Sequence, residues 1–240
     1  MGKILRSELL KLRKSSIWLL IFVSPALSTV IGFAESAEAP HEWMLTLTYM
    51  VFTHGLLFLP LLTGVFSAFV CRYEHTGGGW KQLLAMPVSR GKVYLAKLML
   101  VIGLLLATQL LFAGGYILAG LAKGYEPSIP WKMIGTSIFG GLVACLPLAA
   151  LQLFVSTAWS SFAAPLAINV IFTLPNILVV NSEKYGPYYP WAQPFLAMLP
   201  SIESNFGAMN VSLETLLFVI AGSFLLFFAS GFTYFLRKEV

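Results

Sequence analysis

Residues 98–121 of the chain read LMLVIGLLLATQLLFAGGYILAGL and contain no charged side chain. A helix needs about 20 apolar residues to cross the hydrocarbon core of a bilayer, so this stretch predicts a transmembrane helix. The whole chain of 240 residues is 58% hydrophobic and only 10% charged, and it contains no Asp. Because soluble chains are about a quarter charged, this composition predicts an all-α polytopic membrane protein.

Stretches of this kind predict six transmembrane helices in a single domain covering residues 1–240. They run roughly over Ile17–Ala34, Met44–Val70, Leu98–Leu121, Met133–Ala158, Phe162–Val180 and Leu213–Leu236. The fourth and fifth nearly join. The polar and aromatic residues at 156–161 separate them, because such clusters are typical of a membrane interface.

Positive charge predicts the orientation, since Lys and Arg are retained on the cytoplasmic side of short loops. Twelve of the fifteen positive residues fall in three segments, which are residues 1–16, the loop at 71–97 and the C-terminus. Seven of the ten acidic residues fall on the opposite side, which also holds a long segment at 181–212. Both termini are therefore predicted to be cytoplasmic. The outer segment is rich in Pro, Tyr and Trp, and it predicts either an aromatic belt or a surface that contacts substrate.

Residues 1–16 predict an amphipathic helix that lies along the inner membrane surface. Leu5, Leu9 and Leu12 share one helical face, and the lysines lie away from it. The N-terminal part of the chain also fits a secretory signal, with a basic start, an apolar core and Ala37-Glu38-Ala39 as a small-residue cleavage site. The topology of the remaining spans is the same in both interpretations.

Polar side chains inside the spans are candidates for interhelical hydrogen bonds or for functional positions. They are His54, Gln109, Gln152 and Asn169. No carboxylate lies near the centre of a span, which argues against a secondary transporter that carries ions on one. Small residues at every fourth position, as in Ser24, Ser28 and Gly32, predict close helix packing.

The loop at 71–97 carries the most specific pattern in the sequence. After the glycines at 77–79, Trp80, Leu83 and Leu84 share one face of a short predicted helix. Pro87 ends that helix, and Ser89 is placed to cap a new helix that continues into the third span. Such a helix either rests on anionic lipid or docks a soluble partner through its apolar side chains.

This loop resembles the first cytoplasmic loop of type 2 permeases of ABC transporters, and in detail the subgroup that serves lantibiotic and bacitracin self-protection exporters. The resemblance rests on Tyr73-Glu74-His75, on residues 78–84 (GGWKQLL), and on Pro87-Val88-Ser89-Arg90 leading to Lys97. It implies a coupling helix at roughly Glu74–Met86 that binds an ATPase subunit. The residues that carry this role are Glu74, His75, Gly78, Gly79, Trp80, Lys81, Leu83, Leu84, Pro87, Ser89 and Arg90.

The resemblance also implies an assembly of two membrane subunits and two ATPases, with ATP and Mg²⁺ bound by the ATPase chains. Residues 77–79 are followed by Trp and Lys without the spacing of a phosphate-binding loop, so this chain is not predicted to be an enzyme. A Ser-His-Asp triad is excluded by the absence of Asp. The three histidines, His41, His54 and His75, are too dispersed to predict a metal site.

Two functions follow as hypotheses. The first is the permease of an ATP-driven exporter that removes antimicrobial peptides from a bacterial plasma membrane. The second is a membrane scaffold or sensor that transports nothing and docks a soluble signalling protein through the same loop. An intramembrane enzyme is disfavoured because no paired polar residues suited to catalysis stand out within the spans.

Overall fold

A computed structural model describes residues 1–13, 15–35, 41–75, 79–85, 88–126, 128–200 and 211–238. Every regular element within these ranges is helical, as the composition predicts. The α-helices are α1 (Gly2–Leu12), α2 (Ile17–Ala34), α3 (Glu42–Thr53), α4 (Leu59–His75), α5 (Gly79–Ala85), α6 (Arg90–Ala122), α7 (Trp131–Ala158), α8 (Ala163–Thr173), α9 (Asn176–Val179), α10 (Gln193–Met198) and α11 (Leu213–Arg237). A π-helix over His54–Phe58 joins α3 to α4, and a 3₁₀ helix covers Gly186–Tyr188.

Among the described residues, five helical stretches are long and apolar enough to cross a membrane. They are Ile17–Ala34, Glu42–His75, Arg90–Ala122, Trp131–Ala158 and Glu214–Arg237. The predicted fifth span, Phe162–Val180, is instead two shorter helices, α8 and α9, that meet at Pro175. Proline lacks a backbone N–H and restricts the residue before it, so α8 ends at Thr173, two residues before Pro175. The fifth predicted span thus corresponds to the shorter apolar stretch Ala163–Val179, which follows the fourth full-length span in the chain.

Two predicted boundaries are confirmed and one changes. The fourth span ends at Ala158 and the next helix begins at Ala163, so the polar cluster does interrupt the chain. Ser89 directly precedes α6, although its side chain makes no capping hydrogen bond. The predicted loop 71–97 is shorter than expected, because α4 continues to His75 and α6 already starts at Arg90.

Side chains of the α8–α9 segment donate hydrogen bonds to backbone carbonyls of the second span near Pro60. Pro60 has no N–H to offer the carbonyl of Leu56 one turn earlier, and Asn176 Nδ2 donates to that carbonyl at 2.7 Å. Asn169 Nδ2 donates to the carbonyls of Pro60 and Leu61 at 3.1 and 3.0 Å. Two asparagines thus hold the α8–α9 segment against the irregular part of the second span.

The predicted interhelical role of His54 is confirmed. Its ring is fully buried, with Nδ1 2.6 Å from Ser24 Oγ and Nε2 3.1 Å from Gln109 Oε1. Ser24 lies in α2 and Gln109 in α6, so the ring bridges three helices. Gln152 is also fully buried, but its amide has no hydrogen-bond partner within the described part of the chain.

The small residues of the first span pack as their spacing predicts. Ser24, Ser28 and Gly32 are all buried on one face of α2. A methyl group at Gly32 would lie 2.7 Å from Met50 Sδ, so a larger residue there would require the Met50 side chain to move.

The outer segment 181–212 folds inward over its described part. Phe195 and Met198 of α10 are fully buried against the bundle, and Ser137 Oγ donates to the carbonyl of Met198 at 2.7 Å. Tyr185 and Tyr188 stay exposed, in the manner of an aromatic belt. Residues 201–210 lie outside the described residues.

The asparagine bonds predict a specific effect on stability. Asn169→Ala removes two donors to the second span and the acceptor for Trp191 Nε1, which lies 2.8 Å from Asn169 Oδ1. We expect the free energy of unfolding in mixed micelles to fall by about 1–2 kcal/mol, because buried carbonyls lose their partners. Asn181→Ala removes one exposed bond to the carbonyl of Ile177 and should change stability little. Equal losses in both variants would contradict this account of the second span.

Candidate functional site: the junction at the basic end

The three basic segments of the chain meet at one end of the helix bundle. The amphipathic helix α1 packs on α6 and α4, and α5 packs beside the end of α4. The C-terminal end of α11 closes the junction, because Arg90 at the start of α6 donates to the carbonyls of Leu236 and Lys238 at 3.1 and 2.7 Å. These carbonyls belong to the last turn of α11, which has no helical donors for them.

Four charged side chains form a buried cluster at this junction. Lys97 is completely buried, and its Nζ lies 2.8 Å from Glu8 Oε2 and 2.8 Å from Glu74 Oε2. Lys11 Nζ lies 2.6 Å from Glu74 Oε1 and also pairs with Glu8. We call Glu8, Lys11, Glu74 and Lys97 the charge cluster. Its two carboxylates and two ammonium groups balance.

The charge cluster fixes how α1, α4 and α6 meet. An unpaired charge costs several kcal/mol to bury, so Lys97 is stable here only with its partners in place. Its ammonium also donates to the carbonyl of Val70 at 2.8 Å. Glu74 Oε2 pairs with Lys97 by distance and not by an aligned hydrogen bond. The carboxylates come from α1 and α4 and the central cation comes from α6.

Sequence analysis identified Glu74 and Lys97 in the loop pattern, but it did not identify Glu8 and Lys11 as their partners. The sequence of α1 does contain an indication that Glu8 is buried. Glu8 is the only acidic residue in the basic segment 1–16, and it lies on the same face as Leu5 and Leu12. The structure buries Glu8 and Leu12, whereas Leu9 is 39% exposed. The face that α1 turns to the protein is therefore centred on Glu8.

Trp80 is the aromatic centre of the junction. It is buried, and its indole Nε1 donates to His75 Nδ1 at 3.1 Å. The other ring nitrogen of His75 lies 2.7 Å from the carbonyl oxygen of Ser156. Since an indole N–H only donates and a carbonyl only accepts, His75 must carry its proton on Nε2. This chain of bonds connects α5, α4 and α7.

Two ammonium groups face the Trp80 ring. Lys97 Nζ lies 5.6 Å from the ring centroid and Lys238 Nζ lies 4.8 Å from it, which are distances typical of cation–π contacts. Lys238 also donates to the carbonyl of Thr157 at 2.5 Å. Partial burial in this position lowers the pKa of Lys238. Trp80 thus contacts the charge cluster on one side and the C-terminal end of the chain on the other.

The predicted coupling helix has different limits in the structure. Glu74 and His75 belong to the last turn of α4, and the separate helix α5 covers only Gly79–Ala85. A methyl group at Gly79 would lie 2.8 Å from the Cα of Glu74, so the close return of the chain requires glycine there. The predicted helix over Glu74–Met86 is therefore divided between the end of α4 and α5, and Met86 lies outside the described residues.

The apolar face of α5 points into the protein. Trp80 and Leu83 are 6% and 8% exposed, whereas Lys81 and Gln82 are exposed. Gly78, Pro87 and the side chain of Leu84 lie outside what the structure describes. The exposed face of α5 is therefore its polar one, and Trp80 connects the helix to the buried charge cluster.

One comparison with known proteins identifies a family. The family model described as ABC-2 family transporter protein matches residues 4–176, more than two thirds of the chain. The match begins in α1, ends at the start of α9 and includes the complete charge cluster. A comparison with curated protein sequences finds no match.

Charge balance at the cluster predicts a double-substitution rescue. Lys97→Met leaves two buried carboxylates with one ammonium group, and we expect it to destabilise the protein by about 3–5 kcal/mol. Glu74→Gln combined with Lys97→Met leaves the Glu8–Lys11 pair neutral, so the double variant should be more stable than Lys97→Met alone. Thermal unfolding of the detergent-solubilised protein measures both effects.

Lys92→Met is the matched control, because Lys92 is an exposed cation on the same helix. It should unfold at the temperature of the unaltered protein. A double variant that is less stable than Lys97→Met would show that charge balance does not hold the junction together.

Proposed function

The chain belongs to the ABC-2 family of transporter proteins, and on that premise we propose that it is the permease of an exporter for antimicrobial peptides. It is a multi-pass membrane protein and the transmembrane component of an ABC transporter, as distinct from the ATPase. The family implies association with an ABC ATPase. We propose further that two permease subunits pair with two ATPases in a bacterial plasma membrane, and that the ATPases bind ATP and Mg²⁺.

The observation that carries the proposal is the attachment of α5 to the membrane helices. A coupling helix must present one face to the ATPase and transmit its displacement through the other. Lys81 and Gln82 form the exposed face, and Trp80 forms the buried one. Trp80 contacts His75 at the end of α4 and Lys97 in α6, so a movement of α5 displaces two membrane-spanning segments together.

A cationic peptide substrate is supported by charge on the opposite side. Glu35, Glu126, Glu183 and Glu214 are exposed at or near the outer ends of helices, where their negative field attracts cations. The loop resemblance to lantibiotic and bacitracin self-protection exporters favours the same substrate class. Peptides of this class insert into the bilayer, which fits an exporter that takes its substrate from the membrane.

The exposed face of α5 predicts the effect of a charge reversal on the ATPase complex. Lys81→Glu should weaken co-purification of a P-loop ATPase with the tagged chain by about fivefold, corresponding to about 1 kcal/mol of surface electrostatics. Lys92→Glu makes the same charge change on α6 outside the proposed contact and should leave the complex intact. Mild-detergent affinity purification with quantitative mass spectrometry measures the ratio of ATPase to permease.

The same experiment separates the two functional hypotheses. Recovery of a P-loop ATPase with the unaltered chain supports the exporter. Reproducible recovery of a different soluble protein, without an ATPase, would favour the scaffold or sensor.

Peptide resistance tests the substrate class. Bacteria that express the chain with its ATPase should grow at higher concentrations of bacitracin or a lantibiotic than bacteria that lack the chain. Lys81→Glu should lower that concentration and Lys92→Glu should not, because only the first weakens coupling. Unchanged susceptibility on deletion of the chain, together with recovery of the ATPase on the unaltered tagged chain, would refute peptide export while leaving the permease assignment in place.

A further inference from the structure

A cleft of about 610 Å³ opens beside the last two turns of α11, at the same end of the bundle as the junction. It is lined by Ser230, Thr233, Tyr234, Arg237 and Lys238. Ser230, Thr233, Tyr234 and Arg237 recur at intervals of three and four, so they share one face of the helix. This face is exposed, because only a small part of α11 is buried inside the protein.

The charge of the cleft selects an anionic ligand. Among the described residues that line it, Arg237 and Lys238 are the ionisable cations and none is acidic. The Arg237 guanidinium makes no hydrogen bond or ion pair within the described ranges, so all of its donors are available to a ligand. A guanidinium with an adjacent ammonium is a pairing that suits phosphate oxygens.

The depth of the cleft favours a lipid as its ligand over a free anion. Ser230 lies seven residues before Arg237, which places it about 10 Å further into the membrane-spanning part of α11. The hydroxyls of Ser230 and Thr233 donate to carbonyls of their own helix. Their hydrogen-bond donors are therefore already used, and these residues form a wall of the cleft that does not donate to an anion. Leu226 continues the same face one turn deeper and is 63% exposed. A free phosphate would occupy only the cationic end of this space.

We propose that the cleft binds an anionic phospholipid of the phosphatidylglycerol class. Arg237 and Lys238 bind its phosphate, the Tyr234 hydroxyl is placed one turn deeper to donate to an ester carbonyl, and an acyl chain lies along Leu226. The positive-inside orientation of the chain places this site in the cytoplasmic leaflet, where anionic headgroups attract nearby Lys and Arg.

The lipid site is physically continuous with the junction. Lys238 uses one of its three N–H donors on the carbonyl of Thr157 while its ammonium faces Trp80 at 4.8 Å. A phosphate that accepts from the remaining donors holds this ammonium in place over the ring. Bound lipid therefore stabilises α5 in its docked position.

Lipid binding to the purified full-length chain tests the proposal without ATPase, ATP or peptide, so its outcome is independent of the proposed function. Native mass spectrometry of the detergent-solubilised protein measures the dissociation constants of phosphatidylglycerol and phosphatidylcholine. We expect tighter binding of phosphatidylglycerol, and we expect Arg237→Gln to weaken it about fivefold, the effect of about 1 kcal/mol for one cation near an anionic lipid. Arg13→Gln removes an exposed cation at the same end but outside the cleft, and it should have no such effect.

Two further measurements complete the test. Ser230→Leu fills the cleft without changing charge and should also weaken binding. Hydrogen exchange of residues 79–85 should slow when phosphatidylglycerol is added, and Lys238→Gln should abolish the slowing.

Three outcomes would overturn the proposal. Equal losses for Arg237→Gln and Arg13→Gln would mean diffuse surface attraction. Equal binding of the two lipids would mean that the phosphate charge is not recognised. Displacement of phosphatidylglycerol by inorganic phosphate at matched concentration would mean a site for a soluble anion.

Discussion

The burial of one ammonium group determines how the basic end of this protein is organised. Lys97 has no exposed surface, and a charge in that position is tolerated only with opposite charge and hydrogen-bond acceptors around it. Glu8, Glu74 and the carbonyl of Val70 provide them at 2.8 Å each. These partners come from two other helices. The position of α1, which hydrophobic contact alone would leave free to slide along the membrane surface, is therefore fixed by ionic geometry.

That geometry is the basis for the proposed action of a short helix on a large membrane domain. α5 has only seven residues and is too short to be stable by itself. Its stability comes from Trp80, which packs between the charge cluster, His75 and Lys238. The packed interior is not continuously deformable, so these contacts join α5 and its neighbours into one packed unit. The proposed phospholipid adds a contact at the remaining side of that unit and makes its docked state sensitive to membrane composition.

The sequence predicts the helical class, most of the spans and the start of α6, because apolar length and helix-breaking residues are local properties. It does not predict whether an apolar helix face is buried in lipid, against another protein or within the same chain. Trp80 and Leu83 share a helical face as predicted, but their partner is the same chain, since periodicity is identical for a face buried in lipid, in another protein or within the fold. Phe162–Val180 is apolar enough to span, and Pro175 divides it. The role of Glu8 is not predictable from the sequence, because Glu74 and Lys97 of the same cluster lie far from it along the chain. Ion pairs between residues so far apart in sequence leave no periodic pattern.

The sequence separation of these ion pairs also determines the order in which parts of the protein assemble at the membrane. Glu8 and Lys97 are 89 residues apart, and Lys11 and Glu74 are 63 residues apart. When α1 leaves the ribosome, none of its ionic partners outside the helix has been synthesised. α1 therefore stays at the water–lipid interface, without its ionic partners, until the translocon has released the second span and the start of the third. The N-terminus is thus made first but docks only after Lys97 has been made, and the C-terminal end of α11 closes the junction later still.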